Sequence, residues 1–205
     1  MLPPPRLWPV ADAASASPPV WNIANALTVL RVALVPVFAV VLLAGGADGP
    51  LRWLALAIFI LAAATDRVDG WLARRNGIVT DFGKLWDPIA DKLLMGTALV
   101  CLSIMGELWW WVTAVILARE LGITVMRFFL LRYLVLPASK GGKLKTFMQT
   151  IAIGLFLLPL STLPAFVSWL ACAAMAVAVA LTVVTGLDYV RVALRVRREA
   201  RAAGR

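Results

Sequence analysis

One stretch of the chain reads Asp66-Arg67-Val68-Asp69-Gly70-Trp71-Leu72-Ala73-Arg74 and continues, after a gap, to Gly83, Asp87 and Asp91. Apolar segments flank it at residues 51–64 and 93–105, and both are typical of membrane-embedded chain. An ionisable side chain at membrane depth costs about 2.5–3.5 kcal/mol, and four neighbouring carboxylates also repel one another. We therefore expect divalent cations to offset the charge of this cluster.

Helical spacing would bring the four carboxylates together. Asp66 and Asp69 are three residues apart, and Asp87 and Asp91 are four apart, so each pair shares one face of a helix. The turn signal Asn76-Gly77 predicts that the two helices run antiparallel and that the pairs meet. Four carboxylates form a hard-oxygen site suited to two Mg²⁺ or Mn²⁺ ions, which fits the two-metal arrangement of phosphoryl transfer.

The residue types around these carboxylates suit a phosphate ligand. Gly70 and Ala73 leave the helix face bare, so that a flat ligand can approach the backbone, and Arg74 supplies a fixed cation for a phosphate. The chain contains no histidine. Acid–base work therefore falls to carboxylates, lysine or tyrosine.

The pattern D-x2-D-G-x2-A-R-x8-G-x3-D-x3-D resembles the signature of the CDP-alcohol phosphotransferase family at all eight fixed positions. The resemblance implies an integral membrane enzyme that displaces CMP from a CDP-linked lipid or alcohol. It implies that Asp66, Asp69, Asp87 and Asp91 bind the metal ions and that Asp91 is the general base. The residues expected to hold the CDP group are Asn25, Thr28, Asp69, Gly70, Ala73, Arg74 and Gly83. In the alternative interpretation, the aspartates form structural ion pairs or belong to a cation transporter or channel.

The signature leaves the acceptor alcohol open. Residues 22–31, 118–127 and 142–149 resemble the phosphatidylglycerophosphate synthases of the same family, which implies CDP-diacylglycerol as donor and glycerol 3-phosphate as acceptor. An acceptor that carries a phosphate requires cations, and those predicted to contact it are Arg119, Arg127, Lys140, Lys143 and Lys145. Inositol phosphate also carries a phosphate and stays open as an acceptor. Phosphatidylglycerol, used in cardiolipin synthesis, is a further alternative.

The composition favours the bilayer as solvent. The 205-residue chain is 62% hydrophobic and has a mean hydropathy of +0.89, more apolar surface than a soluble core of this size can bury. Lysine and arginine number 20 against 11 acidic residues. The basic residues lie between or after apolar segments, so we expect them to meet anionic lipid headgroups rather than nucleic acid.

Apolar patterning predicts an all-α membrane bundle of six transmembrane helices, at about residues 26–44, 51–75, 83–105, 109–134, 146–160 and 165–189. Residues 21–190 form the predicted membrane domain, residues 1–20 a disordered tail and residues 191–205 a basic tail. Residues 137–146 are predicted to be a basic loop. By the positive-inside rule, both termini and the aspartate cluster face the cytoplasm at the cell membrane. The resemblance also implies a homodimer.

Overall fold

A computed structural model describes residues 23–76, 81–130 and 140–203, with side chains at residues 25–65, 86, 88–126 and 144–192. This part of the chain is all-helical and contains no strand, which confirms the predicted class there. The six helices are α1 (Ile23–Gly45), α2 (Pro50–Asn76), α3 (Asp81–Ile104), α4 (Trp110–Leu130), α5 (Lys140–Phe156) and α6 (Ala165–Ala203). The predicted tail at residues 1–20 lies outside the described residues.

Local sequence explains where the first helices end and begin. α1 ends at Gly45, and Gly46 follows with a φ of 62°, a left-handed conformation that glycine adopts without steric cost. α2 begins at Pro50, whose missing N–H falls where a helix has no internal acceptor for it. At the end of α3, Gly106 has a φ of 76° and the next N–H, that of Glu107, donates to the Leu102 carbonyl at 3.0 Å.

Four helix limits in α3, α5 and α6 differ from the predictions. α5 begins at Lys140, so the predicted basic loop was wrong from that residue onward, because lysine and leucine favour the helix. α5 also ends at Phe156 rather than near residue 160, since Pro159 cannot continue a helix. α3 begins two residues earlier than predicted, which places Pro88 inside the helix and not in its first turns. α6 continues 14 residues past its predicted span, to Ala203.

The outer surface of the bundle is apolar. The segments Asn25–Gly45 and Ala165–Val192 are long and apolar enough to cross a membrane, and only 28% of each is buried within the protein. The tryptophans at the α3–α4 connection, Trp109, Trp110 and Trp111, are all more than half exposed, as expected of an aromatic belt. Pro50–Thr65 and Leu144–Phe156 are shorter apolar segments. Such a surface suits lipid rather than water.

The apolar core lies toward one end of the bundle. Its residues come from the second halves of α1, α3 and α5 and the first halves of α2, α4 and α6. These are the halves that adjoin the α1–α2, α3–α4 and α5–α6 connections. Phe38 and Phe59 meet there with ring centroids 6.0 Å apart. Among the described side chains, those buried in the other halves of α1, α5 and α6 include the polar or charged residues Asn25, Thr28, Arg31, Lys145 and Thr185.

One buried arginine links several helix connections at the end of the bundle where the apolar core lies. Arg52, 1% exposed in the first turn of α2, donates to the carbonyls of Phe156 at 2.7 Å and Leu157 at 3.1 Å. Its two terminal nitrogens both bind the carboxylate of Glu107 in the α3–α4 connection. A single guanidinium therefore links α2, the α3–α4 connection and the end of α5.

We expect Arg52→Ala to lower the free energy of unfolding by about 3–5 kcal/mol, because the largely buried Glu107 carboxylate would lose the guanidinium that neutralises its charge. Thermal unfolding in detergent would measure this loss. Arg191→Ala is the matched control, since the exposed Arg191 lies 3.5 Å from Asp188, and such surface pairs contribute about 0–1 kcal/mol. Equal melting temperatures for the two variants would contradict the assigned role.

Candidate active site

The two aspartate pairs lie on a pair of antiparallel helices. Asp66 and Asp69 belong to α2, Asp87 and Asp91 belong to α3, and the two helices contact each other. Only residues 77–80 connect them. Four residues span at most about 14 Å, far less than either helix, so contacting helices joined in this way must run in opposite directions.

The two aspartate pairs also lie at matching distances from the connected ends of α2 and α3. Asp66 lies ten residues before the end of α2, and Asp91 lies ten residues after the start of α3, which is about 15 Å along each axis. Asp69 and Asp87 lie seven and six residues from the same ends, or about 10 Å. Counted from the connected ends, position 66 is therefore as far along α2 as position 91 is along α3, and position 69 nearly as far as position 87.

Several predicted site side chains fall outside the described residues. They are Asp66, Asp69, Gly70, Ala73, Arg74, Gly83, Asp87, Arg127, Lys140 and Lys143. Among the side chains that are described, no group of three or more metal-ligating residues occurs. The proposed ligand set is all-oxygen, and its placement on facing helices fits Mg²⁺ or Mn²⁺; ligation of the ions stays a prediction.

Asp91 is the aspartate of the signature whose side chain is described. It is partly buried and lines a cavity of about 530 Å³ between α3, α4 and α5. Glu120 of α4 and Gln149 of α5 contribute polar groups to the same lining, and Met95 and Ile116 contribute apolar surface. A volume of this order is typical of small-molecule sites, so Asp91 faces a space in which a substrate could react.

The first helix presents a buried polar face. Asn25, Thr28 and Arg31 are spaced three residues apart on α1, and each is at least 96% buried. The helices that α1 contacts are α2 and α3, which carry the aspartates. The structure thus places the two predicted CDP-binding residues of α1 on the side of that helix that packs into the bundle. The sequence analysis did not assign Arg31, which extends the same face.

Two of the predicted acceptor-binding cations meet at one carboxylate. Arg119 donates to Oε1 of Glu120 at 2.8 Å, and the ammonium of Lys145 binds the same oxygen. The side chains of Lys145 and Arg119 are only 3% and 12% exposed. Asp91 also has a favourable electrostatic interaction with Lys145. The structure therefore brings two of the predicted acceptor-binding cations together at one carboxylate, and binding of an acceptor there stays a prediction.

Residues of α6 contact the Arg119 side chain on several sides. Thr185 accepts a hydrogen bond from Arg119 at 3.1 Å, and the ring of Tyr189 lies under the guanidinium, 5.8 Å from its carbon. A Cβ at Gly186 would come within 3.2 Å of the Arg119 side chain, so a larger residue here would require that side chain to shift by a few tenths of an ångström. Arg119 Nε is buried and has no hydrogen-bond partner among the described residues.

The sequence analysis missed these α6 contacts and the double role of Glu120. Thr185, Gly186 and Tyr189 lie in an apolar helix where small and aromatic residues ordinarily indicate helix packing. Nothing in their spacing pointed to an arginine 66 residues earlier in the chain. The adjacent charges of Arg119 and Glu120 in an apolar segment were the one available signal.

Comparison with known proteins supports the resemblance. A sequence model of the CDP-alcohol phosphatidyltransferase family matches residues 21–184. A probable phosphatidylglycerophosphate synthase of Mycobacterium tuberculosis is 56% identical over 175 residues, which cover 85% of this chain and 82% of that protein. A Bacillus subtilis protein named CDP-diacylglycerol–glycerol-3-phosphate 3-phosphatidyltransferase is 41% identical over 182 residues, covering 82% and 93% of the two chains. A protein of the same name from Pseudomonas fluorescens is 37% identical over 185 residues, covering 84% and 90%.

Proposed function

The chain belongs to the CDP-alcohol phosphatidyltransferase family, and from this premise we propose that it transfers the phosphatidyl group of CDP-diacylglycerol to glycerol 3-phosphate. The products are CMP and phosphatidylglycerophosphate. The names of the relatives from Bacillus subtilis and Pseudomonas fluorescens specify this donor and this acceptor. The similarity spans more than four-fifths of the chain, so it includes every helix that carries a predicted site residue.

One observation in the structure carries the proposal. Asp91, a carboxylate suited to proton removal, lines the same cavity as Glu120 and attracts Lys145 electrostatically, and Glu120 binds two largely buried cations, Lys145 and Arg119. Because two cations meet at the Glu120 carboxylate, both could also bind an anionic group of the acceptor. That arrangement suits an acceptor that presents a hydroxyl and a phosphate together, because one group can bind the cations while the other meets Asp91.

In the proposed mechanism, Asp91 removes the proton from an acceptor hydroxyl. The hydroxyl oxygen forms a bond to the β-phosphorus of CDP-diacylglycerol, and the bond from that phosphorus to the bridging oxygen breaks. CMP leaves with the bridging oxygen. Arg119 and Lys145 bind the acceptor phosphate, with Arg127, Lys140 and Lys143 as further candidates, and so hold the hydroxyl in line for attack.

The donor side of the proposed site is built from α1, α2 and α3. Asn25, Thr28, Asp69, Gly70, Ala73, Arg74 and Gly83 hold the CDP group. Asp66, Asp69, Asp87 and Asp91 would hold two divalent ions, Mg²⁺ or Mn²⁺. When bound, these ions neutralise charge on the diphosphate oxygens.

We further propose that the protein crosses the cell membrane six times, with both termini and the active site at the cytoplasmic face, and that it acts as a homodimer. Two helices have the length and composition of membrane spans by themselves, and the outward surface of the bundle is apolar. The orientation rests on the lysines and arginines near the adjoining ends of α2 and α3, near the adjoining ends of α4 and α5, and at the C-terminus.

Release of CMP by the purified protein tests the proposed reaction. We expect CMP from CDP-diacylglycerol when glycerol 3-phosphate and Mg²⁺ are both present, and none after chelation with EDTA, because uncompensated carboxylates would repel the diphosphate. Parallel reactions with inositol phosphate and with phosphatidylglycerol serve as acceptor controls. CMP release with one of these and none with glycerol 3-phosphate would overturn the assigned acceptor and keep the assigned chemistry.

A further inference from the structure

We propose that Glu120 is a positioning residue for the acceptor, because it holds Arg119 and Lys145 in the one arrangement in which both can bind the same phosphate. The inference rests on the proposed function, which places the acceptor phosphate at these two cations. Glu120 itself belongs to neither the family signature nor the predicted acceptor contacts. Its role follows from the side chains of α4 and α5 that meet at its carboxylate.

Glu120 connects cations that come from different helices. Its Oε1 accepts a hydrogen bond from Arg119, its neighbour on α4, at 2.8 Å, and it also binds the ammonium of Lys145 on α5. Because both donors reach the same oxygen, their charges lie within a few ångströms of each other. Like charges at that separation repel strongly in a partly buried site, and the carboxylate between them offsets this repulsion.

The two cations differ in how much they depend on Glu120. Thr185 and Tyr189 of α6 hold Arg119 independently of Glu120, and Gly186 gives its side chain room. Among the described residues, Lys145 forms its side-chain hydrogen bond with Glu120. A lysine ammonium on a flexible four-carbon chain is not held in one position by its own geometry. We therefore expect loss of the Glu120 charge to displace Lys145 more than Arg119.

Glu120 also lies where a misplaced lysine would affect the reaction. Its side chain is one-fifth exposed and lines the same cavity as Asp91. Asp91 interacts favourably with Lys145. A Lys145 released from Glu120 would move closer to Asp91 or away from the site, and either movement separates it from Arg119. The phosphate would then lose one of its two cationic contacts.

The test is steady-state CMP release by the full-length enzyme carrying Glu120→Gln, which preserves the size of the side chain and removes its charge. We expect the KM for glycerol 3-phosphate to rise about tenfold or more, equivalent to one lost contact. The KM for CDP-diacylglycerol and the kcat should change less than threefold. An unchanged acceptor KM, or an equal rise in both KM values, would overturn the inference, since a general packing defect affects both substrates.

A double-mutant cycle separates positioning through Lys145 from a direct effect of Glu120. If Glu120 acts through the ammonium, Glu120→Gln should add little to the acceptor KM once Lys145→Met is present. Full additivity of the two effects would contradict the proposed route. If Glu120→Gln does not fold, Glu120→Asp replaces it, because a carboxylate one methylene shorter cannot reach both cations. We expect the same acceptor-specific rise, and an unchanged acceptor KM would overturn the inference.

Activity of the wild-type enzyme separates a failure of the proposed function from a failure of the proposed role of Glu120. Absence of CMP release with glycerol 3-phosphate from the wild type would refute the proposed function itself. Normal wild-type release, together with a Glu120→Gln variant that has an unchanged acceptor KM, would refute the positioning role alone.

Discussion

Asp91→Asn is expected to lower kcat by about 10²–10⁴-fold, the contribution typical of a general base, while binding of CDP-diacylglycerol persists. Asparagine keeps the shape of the side chain but cannot take the proton of the acceptor hydroxyl. Asp91 lines the cavity between α3, α4 and α5 and attracts Lys145 electrostatically. Single-turnover release of CMP measures the chemical step, and equilibrium binding of the donor in detergent measures the retained affinity.

A second aspartate provides the control for this substitution. Asp188 lies near the end of the predicted sixth span, is exposed and pairs with Arg191 at 3.5 Å. Asp188→Asn should leave both turnover and donor binding close to those of the wild type. Turnover near the wild-type level in Asp91→Asn would remove this residue from the base role and leave the chemistry to another group.

Arg119→Ala is expected to raise the KM for glycerol 3-phosphate by about 10–100-fold, with a much smaller change in the KM for CDP-diacylglycerol. Hydrogen bonds to charged groups contribute about 1.5–3 kcal/mol, and tenfold in affinity corresponds to about 1.4 kcal/mol. The guanidinium is already held by Thr185 and Tyr189, so little ordering remains to be done when the phosphate binds.

Steady-state kinetics with each substrate varied in turn checks this expectation. Arg191→Ala is the matched control, because it removes an exposed guanidinium of α6 whose partner Asp188 is also exposed. It should change neither KM. A rise confined to the KM of CDP-diacylglycerol in Arg119→Ala would reassign Arg119 to the donor side of the site.

The sequence predicted the all-helical class and most helix limits because both depend on local patterns. Glycine and proline marked several helix limits in the sequence. Gly45 and Gly46 indicated the end of α1, Pro50 the start of α2, and Gly106 the end of α3. The family followed from eight positions within 26 residues. The start of α5 was predicted too late because a run of lysines between glycines resembles a loop locally, whereas lysine also favours helices.

The sequence could not predict pairs formed between distant parts of the chain. Arg52 meets Glu107 and Leu157, which lie 55 and 105 residues away, and Arg119 meets Thr185. Each partner alone is an ordinary residue in its own helix or connection. Only packing of α2, α4 and α6 against their neighbours brings the members of each pair together, and this is why the function of Glu120 emerged from the structure.

The central claim is that the four aspartates of α2 and α3 hold divalent ions that bind a diphosphate. Titration of the metal-free protein with Mn²⁺, followed by electron paramagnetic resonance in the presence of CDP-diacylglycerol, tests it most directly. We predict two bound ions per chain in the wild type and a loss of bound Mn²⁺ in Asp66→Asn and Asp87→Asn. If the wild type binds no Mn²⁺, or if the wild type and both variants bind equal amounts, the result would contradict the claim.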